Sequence, residues 1–114
     1  MADCLFCKIV AGEIPSRKVY EDESILAFHD INPQAPVHIL VIPKEHIADG
    51  AAGIDETNAA AVGKCFTVIA RLAKELDLKD GFRVVTNNGF ASCQSVPHLH
   101  FHLLGGKVMS GQMV

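Results

Sequence analysis

The sequence predicts an α+β domain: an antiparallel sheet of about five strands packed on one long helix, with a short N-terminal helix. Three observations predict it. Short β-branched runs bounded by turn residues stand on both sides of one helical stretch. That stretch, residues 55–77, switches to a 3.6-residue period. No repeat, low-complexity tract or linker divides the 114 residues, so residues 1–114 read as a single domain.

Each element has its own signal. Phe6-Cys7-Lys8-Ile9-Val10 reads as a short helix stopped by Gly12 and Pro15. Lys18-Val19-Tyr20 and Ile25-Leu26-Ala27-Phe28 flank the polar turn Glu21-Asp22-Glu23-Ser24, which makes a β-hairpin. Asn32-Pro33-Gln34-Ala35-Pro36 is a loop, because two prolines fix the backbone and remove two N–H donors. His38-Ile39-Leu40-Val41-Ile42-Pro43 is the clearest central strand. In the long helix Val62, Phe66, Ile69, Leu72 with Ala73, and Leu76 form the expected apolar stripe, and Asp55 is the expected N-cap. Phe82-Arg83-Val84-Val85-Thr86 begins the next strand, and Asn87-Asn88-Gly89 ends it as a turn. The last strand is expected from Pro97 or His98 to Leu104, before Gly105-Gly106.

Composition narrows the function classes. Apolar residues at 49% and charged residues at 20% exclude an intrinsically disordered chain. The formal charge is −3 and the cations are scattered, so no basic stripe exists to track a nucleic-acid polymer. The longest apolar runs, 38–43 and 96–104, are far too short to span a membrane. Met1-Ala2-Asp3-Cys4 shows no basic segment leading into an apolar one, so a cytoplasmic domain with reduced thiols is expected.

Cys4 and Cys7 form a C-x-x-C pair, suited to zinc or to redox exchange. A redox pair is expected after a strand in a βαβ context, which Cys4 lacks. Cys65, among apolar helical residues, reads as a small core hydrophobe.

The chemistry concentrates in the histidines. The chain has six, three of them in His98-Leu99-His100-Phe101-His102-Leu103. On a strand these imidazoles point to one side and Leu99, Phe101 and Leu103 to the other. Imidazoles at this spacing resist joint protonation, which keeps a neutral base or nucleophile near pH 7. Two chemistries fit: a catalytic zinc with an open position, or a histidine that attacks phosphorus while its neighbours hold the oxygens. Gln94-Ser95 and Asn87-Asn88-Gly89 supply uncharged donors beside the histidines, which suits an anionic phosphate better than a bare metal site.

Gln94-Ser95-Val96-Pro97-His98-Leu99-His100-Phe101-His102-Leu103-Leu104 resembles the signature of the histidine triad (HIT) superfamily. The segment from Asp30-Ile31-Asn32-Pro33-Gln34-Ala35-Pro36 through His38 to Lys44 resembles the nucleotide-binding segment of its Hint branch, and Gly12-Glu13-Ile14-Pro15 matches as well. His102 stands where the galactose-1-phosphate uridylyltransferase branch has glutamine, which points to hydrolysis rather than nucleotidyl transfer. The resemblance implies a purine nucleoside phosphoramidase-like hydrolase acting on AMP derivatives. Its rivals are a dinucleoside polyphosphate hydrolase of the Fhit type and a nucleotide-binding regulatory module.

The resemblance also implies residue roles. His100 would be the nucleophile on the α-phosphate, with His102, Ser95 and Asn87 on the phosphate oxygens and His38 supporting the triad. Asp30 would accept hydrogen bonds from the ribose hydroxyls. Leu5, Phe6, Ile9, Phe28, His29, Ile31 and Leu40 would wall the base pocket. Cys4, Cys7, His46 and His98 would hold a structural zinc. Hint-like proteins pair about a two-fold axis, and an open sheet edge agrees with a homodimer. Two departures stand out. Ser92-Cys93 replace a glycine pair usual in close Hint relatives, leaving an oxidisable Cys93. The tail 107–114 lacks the tryptophan-bearing end of eukaryotic Hint proteins.

Overall fold

A computed structural model describes residues 4–112. The leader-free reading of Met1, Ala2 and Asp3 and the last two residues of the tail lie outside the described residues. The chain runs α1 (Leu5–Val10), β1 (Lys18–Glu21), β2 (Ile25–His29), β3 (Val37–Pro43), α2 (Ala59–Glu75), β4 (Phe82–Val85) and β5 (Phe101–Gly105), with 3₁₀ turns at Ala51–Gly53 and Phe90–Ser92. The five strands form one sheet in the order β1-β2-β3-β5-β4, and every neighbouring pair is antiparallel. The expected α+β class, helices and sheet are all present.

Local chemistry sets the boundaries. The Cys4 Sγ accepts the Cys7 N–H at 3.2 Å and caps α1. Gly12, at φ 82°, closes the helix: its N–H bonds the Ile9 carbonyl and Glu13 N–H bonds the Lys8 carbonyl, a Schellman turn that needs a left-handed residue. Between β1 and β2 the Asp22 carboxylate accepts the N–H groups of Ser24 and Ile25 at 2.7 and 2.8 Å, which tightens the hairpin.

The sheet is covered on both faces, and this divides the molecule. On one face α2 buries Cys65, Val68, Ile69, Leu72 and Ala73 against Ile25, Ala27, Ile39, Val41, Leu99, Phe101 and Leu103. On the other, Cys4, Phe6 and Ile9 of the α1 region pack on Leu26, Phe28, Leu40 and Ile42. Each fully buried Leu or Ile contributes about 1.5–3 kcal/mol. No helix among the described residues is long and apolar enough to cross a membrane.

Three expectations need correction. The helix begins at Ala59, not at Asp55. Asn58 stands at the cap position without a side-chain cap bond, and Asp55 opens the turn that leads into the helix, its carboxylate accepting the Thr57 N–H and its carbonyl the Ala59 N–H. The buried stripe is centred one residue off the expected one: Cys65 is fully buried while Phe66 is 45% exposed and touches Phe101 edge-on from the flank. The last ladder starts at Phe101 rather than at Pro97 or His98. Pro97 has no N–H to give, His98 N–H turns to the Val96 carbonyl, and Leu99 N–H goes to Ala48.

Candidate active site and metal centre

The alternation expected of the histidine segment holds although its first half lies outside the ladder. Leu99, Phe101 and Leu103 enter the core under α2, and the histidines take the α1 face. The His100 ring lies edge-on to Phe6 at 5.0 Å and to His102 at 5.1 Å, and the His98 ring meets Phe6 at 5.8 Å. His98, His100 and His38 are all buried. His38 reaches the same face from β3, where Leu40 is paired with His102.

Hydrogen-bond partners assign the tautomers. The His98 carbonyl, 2.7 Å away, accepts from His100 Nδ1, so Nδ1 carries the proton and Nε2 keeps a free lone pair. The main-chain N–H of Gln34 donates to His38 Nδ1 at 3.0 Å. The proton of His38 is therefore on Nε2, which lies 2.9 Å from His102 Nδ1 and 3.3 Å from Asp30 Oδ2. His102 Nδ1 accepts, which leaves its Nε2–H as a donor. Burial, then the neighbouring His100 and His38, push the His102 imidazole down to about 4. Burial also holds His100 and His38 below the usual histidine value, opposed by the His98 carbonyl in the first and by Asp30 in both. The cluster is neutral near pH 7.

Beside it opens a cavity of about 870 Å³, larger than the two others described, of about 430 and 400 Å³. All seven expected wall residues line it: Leu5, Phe6, Ile9, Phe28, His29, Ile31 and Leu40. Asp30 and Ser95 line it too. Asn87 is half-buried and does not belong to the lining. It lies two residues beyond Val85, which pairs with His102. Sequence reasoning missed Pro15, Ser16, Arg17, Pro33 and Val96 in the lining. Ser16 and Arg17 come before a strand whose partner is Phe28, a signal visible only once the hairpin register is known.

The loop carrying Ser95 is braced from behind. The Gln94 side chain accepts the Gly89 N–H at 2.7 Å and donates to the Asp49 and Val96 carbonyls, while Asn88 Oδ1 accepts the Ala52 N–H at 2.8 Å. Gly50 permits this contact, since a Cβ there would stand 2.5 Å from Asn88 Oδ1. Gln94 is thus tied into protein rather than facing the cavity. Cys93 is exposed, with φ 67° where glycine is the easier residue. Cys65 is buried, its thiol pushed up to about 12 by burial and then by Asp22.

Cys4, Cys7, His46 and His98 converge, their donor atoms all within 4.8 Å of one another, and could hold a metal ion. Cys4 Sγ is 3.2 Å from His98 Nδ1, and Cys7 Sγ is 3.6 Å from the Nδ1 of both His46 and His98. The other ring nitrogens are occupied: His98 Nε2 donates to the Pro43 carbonyl at 2.9 Å and His46 Nε2 to Asp49 at 2.7 Å. Both Nδ1 lone pairs therefore face the thiols, as metal-ligating histidines require. Burial raises the Cys4 thiol, but hydrogen bonds from Cys7 and the charge of His46 outweigh it and the net shift is downward. Burial and then Cys4 push Cys7 up to about 11. Two thiols and two imidazoles converging on one point fit a four-coordinate tetrahedral zinc site. Asp30, His38 and His102 also cluster, but the proton on His38 Nε2 removes that atom as a ligand.

Comparison with known proteins identifies the family. The chain is 51% identical over 109 residues to the 14 kDa zinc-binding protein of Zea mays, covering 93% of this chain and 84% of that one. It is 46% identical to the Adenylylsulfatase HINT1 of Arabidopsis thaliana, covering 93% and 73%. The solved structure of a HIT family hydrolase from Clostridium thermocellum superposes with a TM-score of 0.95 at 44% identity, covering 100% and 99%. With the HIT domain family matching residues 11–109 and three alternating histidines, the first of them shared with a Cys₂His₂ cluster, the chain belongs to the histidine triad family.

Proposed function

We propose that this single-domain chain hydrolyses purine nucleoside 5′-monophosphate derivatives, phosphoramidates or related α-phosphate linkages, through a nucleotidyl group on His100. One observation carries the reading: the bond from His100 Nδ1 to the His98 carbonyl leaves Nε2 unprotonated and nucleophilic. Nε2 attacks phosphorus, the bond to the leaving group breaks with its electron pair, and water then cleaves the P–N bond to His100. His102 Nε2–H, Ser95 and Asn87 stabilise the non-bridging oxygens, where one lost donor costs about 3–4 kcal/mol. His38 keeps His102 in its donor tautomer. Asp30 takes the ribose hydroxyls, and the apolar walls from Leu5 to Leu40 take the base. The relatives described as a hydrolase and an adenylylsulfatase support cleavage at an α-phosphate.

The Cys4–Cys7–His46–His98 cluster is proposed as a structural zinc site, in line with the relative described as zinc-binding. Held by these four residues, zinc would cross-link α1 to the β3 exit and to the triad segment, a structural role rather than a catalytic one. The open β4 edge supports a homodimer, for which light scattering at micromolar concentration should report twice the chain mass.

The decisive experiment compares adenosine phosphoramidate with diadenosine polyphosphates as substrates. Faster turnover of the first supports the proposal, and the reverse would favour the Fhit-type reading. AMP binding without turnover of either substrate would favour a regulatory module. His100→Ala should remove turnover and the acid-quench nucleotidyl adduct while leaving AMP binding in place.

A further inference from the structure

Resting on that nucleotide reading, we infer that Ser16 and Arg17 read the purine edge and make this chain prefer 6-oxopurine nucleotides, guanine or hypoxanthine, to adenine. Both residues line the cavity, and Arg17 is the only lysine or arginine in that lining. Its side chain is exposed and has no ion-pair partner among the described residues. The Ser16 Oγ is the one buried side-chain polar atom among the described residues without a hydrogen-bond partner. Such a hydroxyl is destabilising as it stands, and a χ1 rotation toward a bound base would satisfy it.

Sheet order puts the two residues at the correct end. The triad segment leads into β5, and β3, β2 and β1 follow across the sheet. The Arg17 carbonyl accepts the His29 N–H at 3.0 Å, which places Arg17 beside the end of β2. About three strand spacings, roughly 14 Å, separate the nucleophile's strand from this edge. Polar groups therefore succeed one another along the cavity as Ser95, then Asp30, then Ser16 with Arg17. That is the order of phosphate, ribose and base edge in a 5′-nucleotide, with Phe28 and Leu40 beneath the ring.

The donor inventory decides between the purines. Arginine offers five N–H donors and no acceptor. Guanine and hypoxanthine present O6 and N7 as adjacent acceptors, which a guanidinium meets with two bonds. Adenine presents N7 beside an amino group that donates, and one bond is lost. Ser16 serves either way, accepting from the ring N1–H of an oxopurine.

The test measures kcat and KM for guanosine, inosine and adenosine 5′-phosphoramidates with the metal-loaded protein. Guanosine and inosine substrates should exceed adenosine about tenfold in kcat/KM, the difference lying in KM. Arg17→Gln should invert the order, since glutamine pairs with N6 and N7 of adenine. Ser16→Ala should raise KM for all three substrates with kcat unchanged, because the hydroxyl bonds N1 of either purine class and the order of preference stays with Arg17. Equal turnover of all three, unmoved by Arg17→Gln, would overturn this inference and leave the hydrolase reading standing. No turnover and no nucleotide binding would instead sink the hydrolase reading itself.

Discussion

His38 Nε2 lies 2.9 Å from His102 Nδ1, and the Gln34 N–H on the far side of the His38 ring decides which of the two nitrogens carries the proton. A main-chain amide thus sets the tautomer of a side chain two contacts away. His38→Asn should free His102 to take either tautomer and lower kcat about 10²-fold, with a smaller change in KM. ¹⁵N spectra of His102 should show mixed tautomers in the variant and one in the parent. A single tautomer in both would remove the relay.

Acid should destabilise the fold through the same cluster. His102 titrates near 6.5 when unfolded and near 4 when folded, so between those values the unfolded chain binds more protons. Its contribution is full above about pH 6.5 and is lost as pH falls toward 4. The buried His38 shifts in the same direction. Thermal melts should show Tm at pH 5 below that at pH 7, and His102→Gln should flatten the slope. An unchanged slope in the variant would assign the acid loss elsewhere.

Metal removal should act on stability first. Helix α1 has six residues, too few to persist without tertiary anchors, and two of its anchors are Cys4 and Cys7. Structural zinc contributes about 10–16 kcal/mol in small peptides, so chelation or Cys4→Ser with Cys7→Ser should lower Tm by about 10 °C or more. AMP affinity should weaken as Phe6 loses its place, while residual turnover of folded protein persists. Elemental analysis without zinc, together with an unchanged Tm, would refute the site.

Gly50→Ala should disturb the phosphate side from a distance. The new Cβ would press on Asn88 and Gln94 and shift the loop bearing Ser95. Overpacking of this kind costs about 1–3 kcal/mol, and kcat should fall roughly tenfold. Full activity with a native Tm would show the brace to be dispensable.

Periodicity made much of this molecule legible in advance. The histidine face follows from strand alternation alone, because Leu99, Phe101 and Leu103 have only the core to enter. The hairpin and β3 were equally plain from β-branched runs between turn residues. What failed had long-range causes. Cys65 reads as a core hydrophobe, yet the expected stripe runs through Phe66, since period alone fixes the rotation of a helix only to within one residue. β5 starts later than its β pattern predicts because Pro97 and the Leu99 bond to Ala48 oppose that pattern. Ser16, Arg17 and Gly50 acquire meaning only from residues distant in sequence.

Helix α1 supplies Cys7 to the thiol–imidazole cluster and Leu5, Phe6 and Ile9 to the cavity, all within six residues. Deleting or inserting one residue there rotates everything beyond it by about 100°. Either the second thiol or the aromatic wall would then turn away, and no local repair restores both. Descendants of this chain can exchange side chains in α1 freely only if its length never changes. The two centres are inherited as one module, and a transplanted C-x-x-C must bring the wall with it.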